Sequence, residues 1–181
     1  MSSLRSSGSL TILAKISDLL ATQKKQGYIV GGFIRDRLLK RKTNDIDIAV
    51  SGDAVTTARK IAKEIGGTFV LLDDVNKVAR VVVVEDEQPG KTARDQELRG
   101  IVWHFDFSSF AGDIRSDLAR RDFTINAMAV ELSQFVAAIT AAKMSSRQPA
   151  ATPAGKRPPL KLIDPFSGKQ DLRDKIVRKV S

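Results

Sequence analysis

Asp45 and Asp47 constrain the fold of this chain more than any other pair of residues. They flank Ile46 in the run Asp45-Ile46-Asp47-Ile48-Ala49-Val50, whose alternation reads as a β-strand with one polar and one apolar face. Successive side chains on a strand point to opposite faces, so both acids emerge on the same one, their Cα atoms about 7 Å apart. Two carboxylates so placed repel unless a cation or a proton sits between them. Oxygen donors of this kind suit Mg²⁺, which keeps its waters and takes phosphates as its remaining ligands.

The preceding residues supply a second half to this picture. Tyr28-Ile29-Val30 reads as a short strand, Gly31-Gly32 as a turn, and Phe33 to Leu39 as a short helix carrying Arg35 and Asp36. Lacking a Cβ, the glycine backbone can approach a ligand closely and present its N–H groups. A helix N-terminus beside such a turn attracts anions. Arg35 falls on the first turn, able to fork onto a phosphate or a carboxylate. The pattern GxxxxGK[ST] is absent, so this is not a P-loop. Singly, an ordinary turn and a solvated strand face explain these signals. Together they describe a phosphate cradle, a phosphate-binding cation and a metal-binding acid pair in one segment.

The remaining chain supplies a frame for that segment. Leu10 to Gln26 has helical spacing through Leu13, Ile16, Leu19 and Leu20, with Gly27 as its stop. Ala54 to Ile65 reads as an amphipathic helix between Asp53 and Gly66-Gly67. Thr68–Leu72 and Ala79–Val84 are β-branched runs around a polar break and predict an antiparallel hairpin. Glu85 to Gly100, charged and containing Pro89-Gly90, reads as a mobile loop near the open side of the site. Ile101 to Phe107 is a further strand, with Val102, His104 and Asp106 on one face. His104 reads as a partly buried strand residue, not a ligand. A loop from Phe110 leads to a short helix capped by Ser116 or Asp117, and Ala127 to Leu132 reads as a strand. Gln134–Ala142 is compatible with a small Ala-rich helix. Met144 to Pro159 holds four of the six prolines and reads as flexible. Leu160 to Ile163 resumes an apolar strand.

At 181 residues the chain suffices for one domain with a sizeable core. We expect a flexible N-terminus over residues 1–9, then a single domain over 10–181 with a flexible basic insert at about 133–159. The Ser-rich start argues against a secretory signal, and no apolar run is long enough for a membrane span. With no cysteine, disulfides and Cys-ligated zinc are excluded, which fits a cytoplasmic setting. The one histidine cannot build a His-cluster metal site. The net charge of +9 is concentrated late: Lys143 to Ser181 has ten basic and three acidic residues. Such a balance suits an RNA or nucleotide partner, and equally a solvated basic insert, because no aromatic residues are interleaved for base stacking.

Two stretches carry a family resemblance. GGFIRDRLL followed by NDIDIAV, and later DLARRDFTINAMAVEL over Asp117–Leu132, resemble the two signatures of the tRNA nucleotidyltransferase and bacterial poly(A) polymerase family, within the polymerase-β superfamily. The resemblance covers about Leu10 to Val180 and only that family's catalytic head, without the helical neck that selects the base or the body that grips tRNA.

The resemblance implies an α/β (α+β) head with a mixed, mostly antiparallel five-stranded sheet and helices packed on one face. It implies transfer of AMP or CMP from ATP or CTP to an RNA 3′-hydroxyl, that of tRNA above all, with two Mg²⁺ ions. By the same carry-over Asp45 and Asp47 are metal ligands. Asp106 resembles the third carboxylate, a general base or a helper at the metal. Gly31, Gly32 and Arg35 hold the triphosphate with Arg121, while Asp122 and Asn126 serve the ribose side. Asp36 is expected to orient Arg35 or the basic loop, and Arg120 to act as phosphate contact or salt-bridge partner. A separate neck or body protein is an implied partner. The alternative is a non-catalytic module that binds nucleotide or RNA, or pairs with another chain.

Overall fold

The computed structural model describes residues 7–86, 100–145 and 160–180. The described residues form six helices and seven strands, in the order α1 (Ser7–Thr22), β1 (Gly27–Val30), α2 (Gly32–Leu38), β2 (Asp45–Ser51), α3 (Ala54–Ile65), β3 (Thr68–Asp73), β4 (Val78–Asp86), β5 (Gly100–Phe110), α4 (Ile114–Leu118), β6 (Ala129–Glu131), α5 (Leu132–Ser145), β7 (Leu162–Ile163) and α6 (Gly168–Asp174). All strands join one sheet in the order β3-β4-β5-β2-β1-β6-β7. Only β2 and β5 run parallel; every other pair is antiparallel.

The resemblance implied a five-stranded sheet, whereas all seven strands read from the sequence join it. The difference lies at one edge, where the short C-terminal apolar runs extend the sheet through Val30↔Ala129 and Ala129↔Ile163. Their backbone groups are thereby paired, which buried chain requires.

Alternation separates two cores. Ile29, Ile46, Ile48, Val50, Val81, Trp103, Phe105 and Phe107 point to the face covered by α1, α3 and α5. Val30, Ala49, Phe110 and Ala129 point the other way, into a smaller cluster with Ile114 and Leu118 of α4 and with Val180. Helices therefore lie mainly, but not only, on one face. This second face also carries the acids, beyond the edge of the small cluster.

Several boundaries differ from expectation for local reasons. The first helix ends earlier, through Lys24 at φ 54°, while Gly27 begins β1. A Cβ at Gly27 would come within 2.5 Å of Leu20 Cδ1, so that glycine serves close packing. Ser7–Ser9, expected to be flexible, belong to α1, and Ser9 is buried. The expected flexible insert opens with the Ala-rich helix read at Gln134–Ala142, here the longer α5, held by buried Phe135, whose ring meets Phe33 edge-on at 5.7 Å. Its later part, 146–159, and most of the expected loop, 87–99, lie outside the described residues. Among the described residues no helix is long and apolar enough to cross a membrane.

Candidate active site

The site is built on one row across the sheet. Val70 lies opposite Arg80, Arg80 opposite Asp106, Asp106 opposite Asp47, and Asp47 opposite Val30. Neighbouring strands are about 4.8 Å apart, so three charged side chains rise side by side from β4, β5 and β2. Asp45 stands two positions along β2 on the same face, opposite His104. The two acids thus share a face, as their spacing requires.

Gly31 follows Val30 directly and turns the chain over this row. Its φ of 67° and ψ of −132° are open to glycine and strained for other residues. A Cβ there would stand 3.0 Å from Arg121 Nη1 and 3.4 Å from Asp47 Oδ2. The bend is therefore packed against the acid and the arginine. The N–H of Gly31 donates to the Met128 carbonyl at 3.1 Å, so this glycine supplies the turn and not an anion donor. Gly32 opens α2 and lies beside Arg35 and Asp47, at 3.5 and 4.0 Å from where its Cβ would stand.

Arg35 is held on both sides. Its Nε and Nη2 donate to the two carboxylate oxygens of Asp36, each at 3.0 Å, and Nη1 donates to Asn126 Oδ1 at 2.8 Å. Asp36 orients Arg35, as the sequence implied. Asn126 is joined to Arg35 in the same cluster. Arg121 donates to Asp117 at 3.3 Å, and among the described residues its buried Nε has no hydrogen-bond partner. Its Nη1 lies beside the Gly31 bend and puts positive charge there, which fits a site that receives an anion. Arg120 pairs with Asp117 at 2.7 Å, the salt-bridge alternative. Asp122 is exposed, and its carbonyl accepts from the Val180 N–H.

Asp106 is on the expected face and in register with Asp47, yet its carboxylate is engaged elsewhere. Arg80 Nε and Nη2 donate to its two oxygens at 2.7 and 2.8 Å. Among the described residues no group of three His, Cys, Asp or Glu side chains is arranged to hold a metal ion. The expected three-carboxylate cluster is thus a pair of acids plus an ion pair. His104 Nδ1 lies 2.8 Å from Asp45 Oδ1, so this strand residue braces an acid.

The electrostatics single out Asp47. Burial pushes its proton affinity above the ordinary carboxylate range, and Asp106 and Asp45 add to the shift, while Arg121 and Arg80 oppose it. A buried acid among like charges is stabilised by a bound cation. The donor chemistry of Asp45 and Asp47 therefore fits a divalent ion as a two-carboxylate set.

Sequence reasoning missed Arg80. It is the one charge inside the apolar run Val78–Val84, a position that alternation assigns to the acid face. Also missed was the clamp on the Arg121–Asn126 segment. Buried Asp171 of α6 accepts from Thr124 Oγ1 at 2.6 Å and from Arg178 Nη2 at 3.2 Å. The Thr124 N–H donates to the Arg178 carbonyl at 3.0 Å.

Known proteins resemble this chain in sequence and in fold. The CC-adding tRNA nucleotidyltransferase of Geobacter sulfurreducens is 33% identical over 175 residues, 94% of this chain and 31% of that protein. The A-adding tRNA nucleotidyltransferase of Halalkalibacterium halodurans is 27% identical over 93% of this chain and 34% of its own length. The Thermotoga maritima CCA-adding enzyme, solved with tRNA, superposes with a TM-score of 0.65 at 28% identity, over 98% of this chain and 34% of that one. The chain thus spans about a third of the length of these relatives. Residues 27–146 match the model of the poly A polymerase head domain. From its acid pair and glycine bend to its sequence relatives, the chain belongs to the poly A polymerase head domain family.

Proposed function

We propose that this chain is the catalytic head of an RNA nucleotidyltransferase. It would move AMP or CMP from ATP or CTP onto an RNA 3′-hydroxyl, with the 3′ end of tRNA as the substrate favoured by the names of its relatives. The observation that carries this reading is Asp45 and Asp47 on one face of β2 beneath the Gly31 bend. In the reaction the 3′-oxygen bonds to the α-phosphorus as its proton passes to water, and the bond from the α-phosphorus to the bridging oxygen breaks as pyrophosphate leaves. Such transfers are accelerated chiefly by positioning and by stabilising phosphate charge.

Each residue has a place in that task. Arg35, fixed by Asp36 and Asn126, and Arg121, whose Nη1 lies beside the Gly31 bend, would face the triphosphate. Gly32 allows the phosphates to approach the start of α2. Asp45 and Asp47 would hold Mg²⁺, which supplies neutralisation of the attacking and leaving oxygens when bound. Base choice and the grip on RNA would fall to other segments or chains.

The test is extension of a tRNA that ends before its CCA, with labelled ATP or CTP and Mg²⁺. The chain is assayed alone and with candidate body proteins. Extension should appear in at least one combination and fall to background in Asp45→Asn and Asp47→Asn. Nucleotide binding with no extension in any combination would favour a non-catalytic binding module.

A further inference from the structure

The Arg80–Asp106 pair is an unusual neighbour for a cation site. Both oxygens of Asp106 face the guanidinium fork, in the bidentate geometry that makes such pairs strong and directional. The two side chains are 32% and 21% exposed, so water screens the pair only in part. Arg80 and Asp106 are also fixed by the backbone, as cross-strand partners in the antiparallel β4–β5 ladder. Register alone thus brings the two side chains within reach of each other.

We propose that Arg80 is a positioning residue that withholds Asp106 from the cation site and thereby keeps cation affinity low until a nucleotide arrives. This rests on the reading of Asp45 and Asp47 as the cation-holding acids. Affinity for Mg²⁺ or Mn²⁺ rises with the number of carboxylates that reach the ion. With Asp106 bound by Arg80, two remain, one of them braced by His104. An ion held by two acids keeps coordination positions for water and phosphate. A third carboxylate would tighten the ion and occupy a position that the triphosphate needs. A nucleotide brings its own charge and its own oxygens, and so completes the set.

The proposal is tested on the full chain by titrating Mn²⁺ without nucleotide and following free Mn²⁺ by electron paramagnetic resonance. Wild type should bind weakly, and Asp47→Asn should abolish that binding. Arg80→Gln should bind about tenfold more tightly, the scale of coupling expected between contacting charges. In the double variant Arg80→Gln/Asp106→Asn that gain should vanish, because the freed carboxylate is its source. Arg80→Lys, which keeps the charge and loses the fork, should fall between wild type and Arg80→Gln. It supplies the reading if circular dichroism shows Arg80→Gln unfolded. Unchanged Mn²⁺ affinity in the folded Arg80 variants would overturn the proposal. So would a gain that persists in the double variant, since Arg80 would then act as a simple point charge on Asp45 and Asp47. Wild-type binding that ignores Asp47→Asn would instead overturn the functional reading, and this inference with it.

Discussion

At Gly31 a single hydrogen atom in place of a methyl group lets three parts of the site meet. Alanine there would combine a strained backbone with a Cβ 3.0 Å from Arg121 Nη1. Gly31→Ala should cost about 1–3 kcal/mol in chemical denaturation and weaken ATP binding, because Arg121 must move. Unchanged affinity would separate the bend from the nucleotide site. Asp47 predicts the opposite sign for stability. Its proton affinity is raised in the folded chain, so its contribution is most favourable in acid. That contribution declines as pH rises from the ordinary carboxylate range through the raised value. Asp47→Asn removes the cost of the buried charge and should raise the melting temperature at neutral pH without added cations. The gain should shrink on acidification, and calorimetry across pH checks both halves. The acids and the bend were legible in the sequence because strand alternation and a paired glycine are local signals. Arg80 was not, since its partner lies 26 residues away and only strand register joins them.

Among the elements, helices and strands with strong periodicity were read correctly in kind. Asp53 caps α3 by accepting from the Thr56 N–H at 3.1 Å, and Gly66 ends it at φ 72°. The weaker reading was α5, whose Ala- and Ser-rich sequence resembles a linker until Phe135 is seen to anchor it. The segment Arg121–Asn126 forms no long helix; α4 stops at Leu118 and a single 3-10 turn covers Thr124–Asn126. Its shape depends on α6, through the Thr124–Asp171–Arg178 network. The Thr124 hydroxyl and then Arg178 hold the Asp171 carboxyl below its ordinary range, which marks the network as built around a charged acid. Asp171→Asn should therefore speed amide exchange over residues 121–127 and reduce nucleotide affinity, with β2 and β5 protection unchanged. Hydrogen exchange by mass spectrometry resolves this. Equal acceleration throughout the sheet would mean general destabilisation and no specific clamp.

For the whole molecule, strand order was the least legible feature. Nothing local in the sequence tells that β5 inserts beside β2 in parallel, or that β6 and β7 extend the opposite edge, because these contacts join distant segments. The C-terminal segment is consequently structural as well as local to the site. Val180 is buried in the second cluster, and its N–H meets the Asp122 carbonyl at 3.1 Å. Removing residues 164–181 takes away α6, the Asp171 network and Val180 together. The shortened chain should melt at a lower temperature by circular dichroism and lose nucleotide binding. Retained binding would show that Arg121 and Asn126 hold their places without that support.

The charged row also guards the alignment of the strands as they assemble. Were β2 to pair with β5 one position out of step, its side chains would exchange faces, driving Asp45 and Asp47 in among Trp103, Phe105 and Phe107. Ionised groups are not tolerated in such surroundings without partners. The same acids that burden the finished protein thus discard its misthreaded forms, and a chain with both replaced by asparagine loses that discrimination.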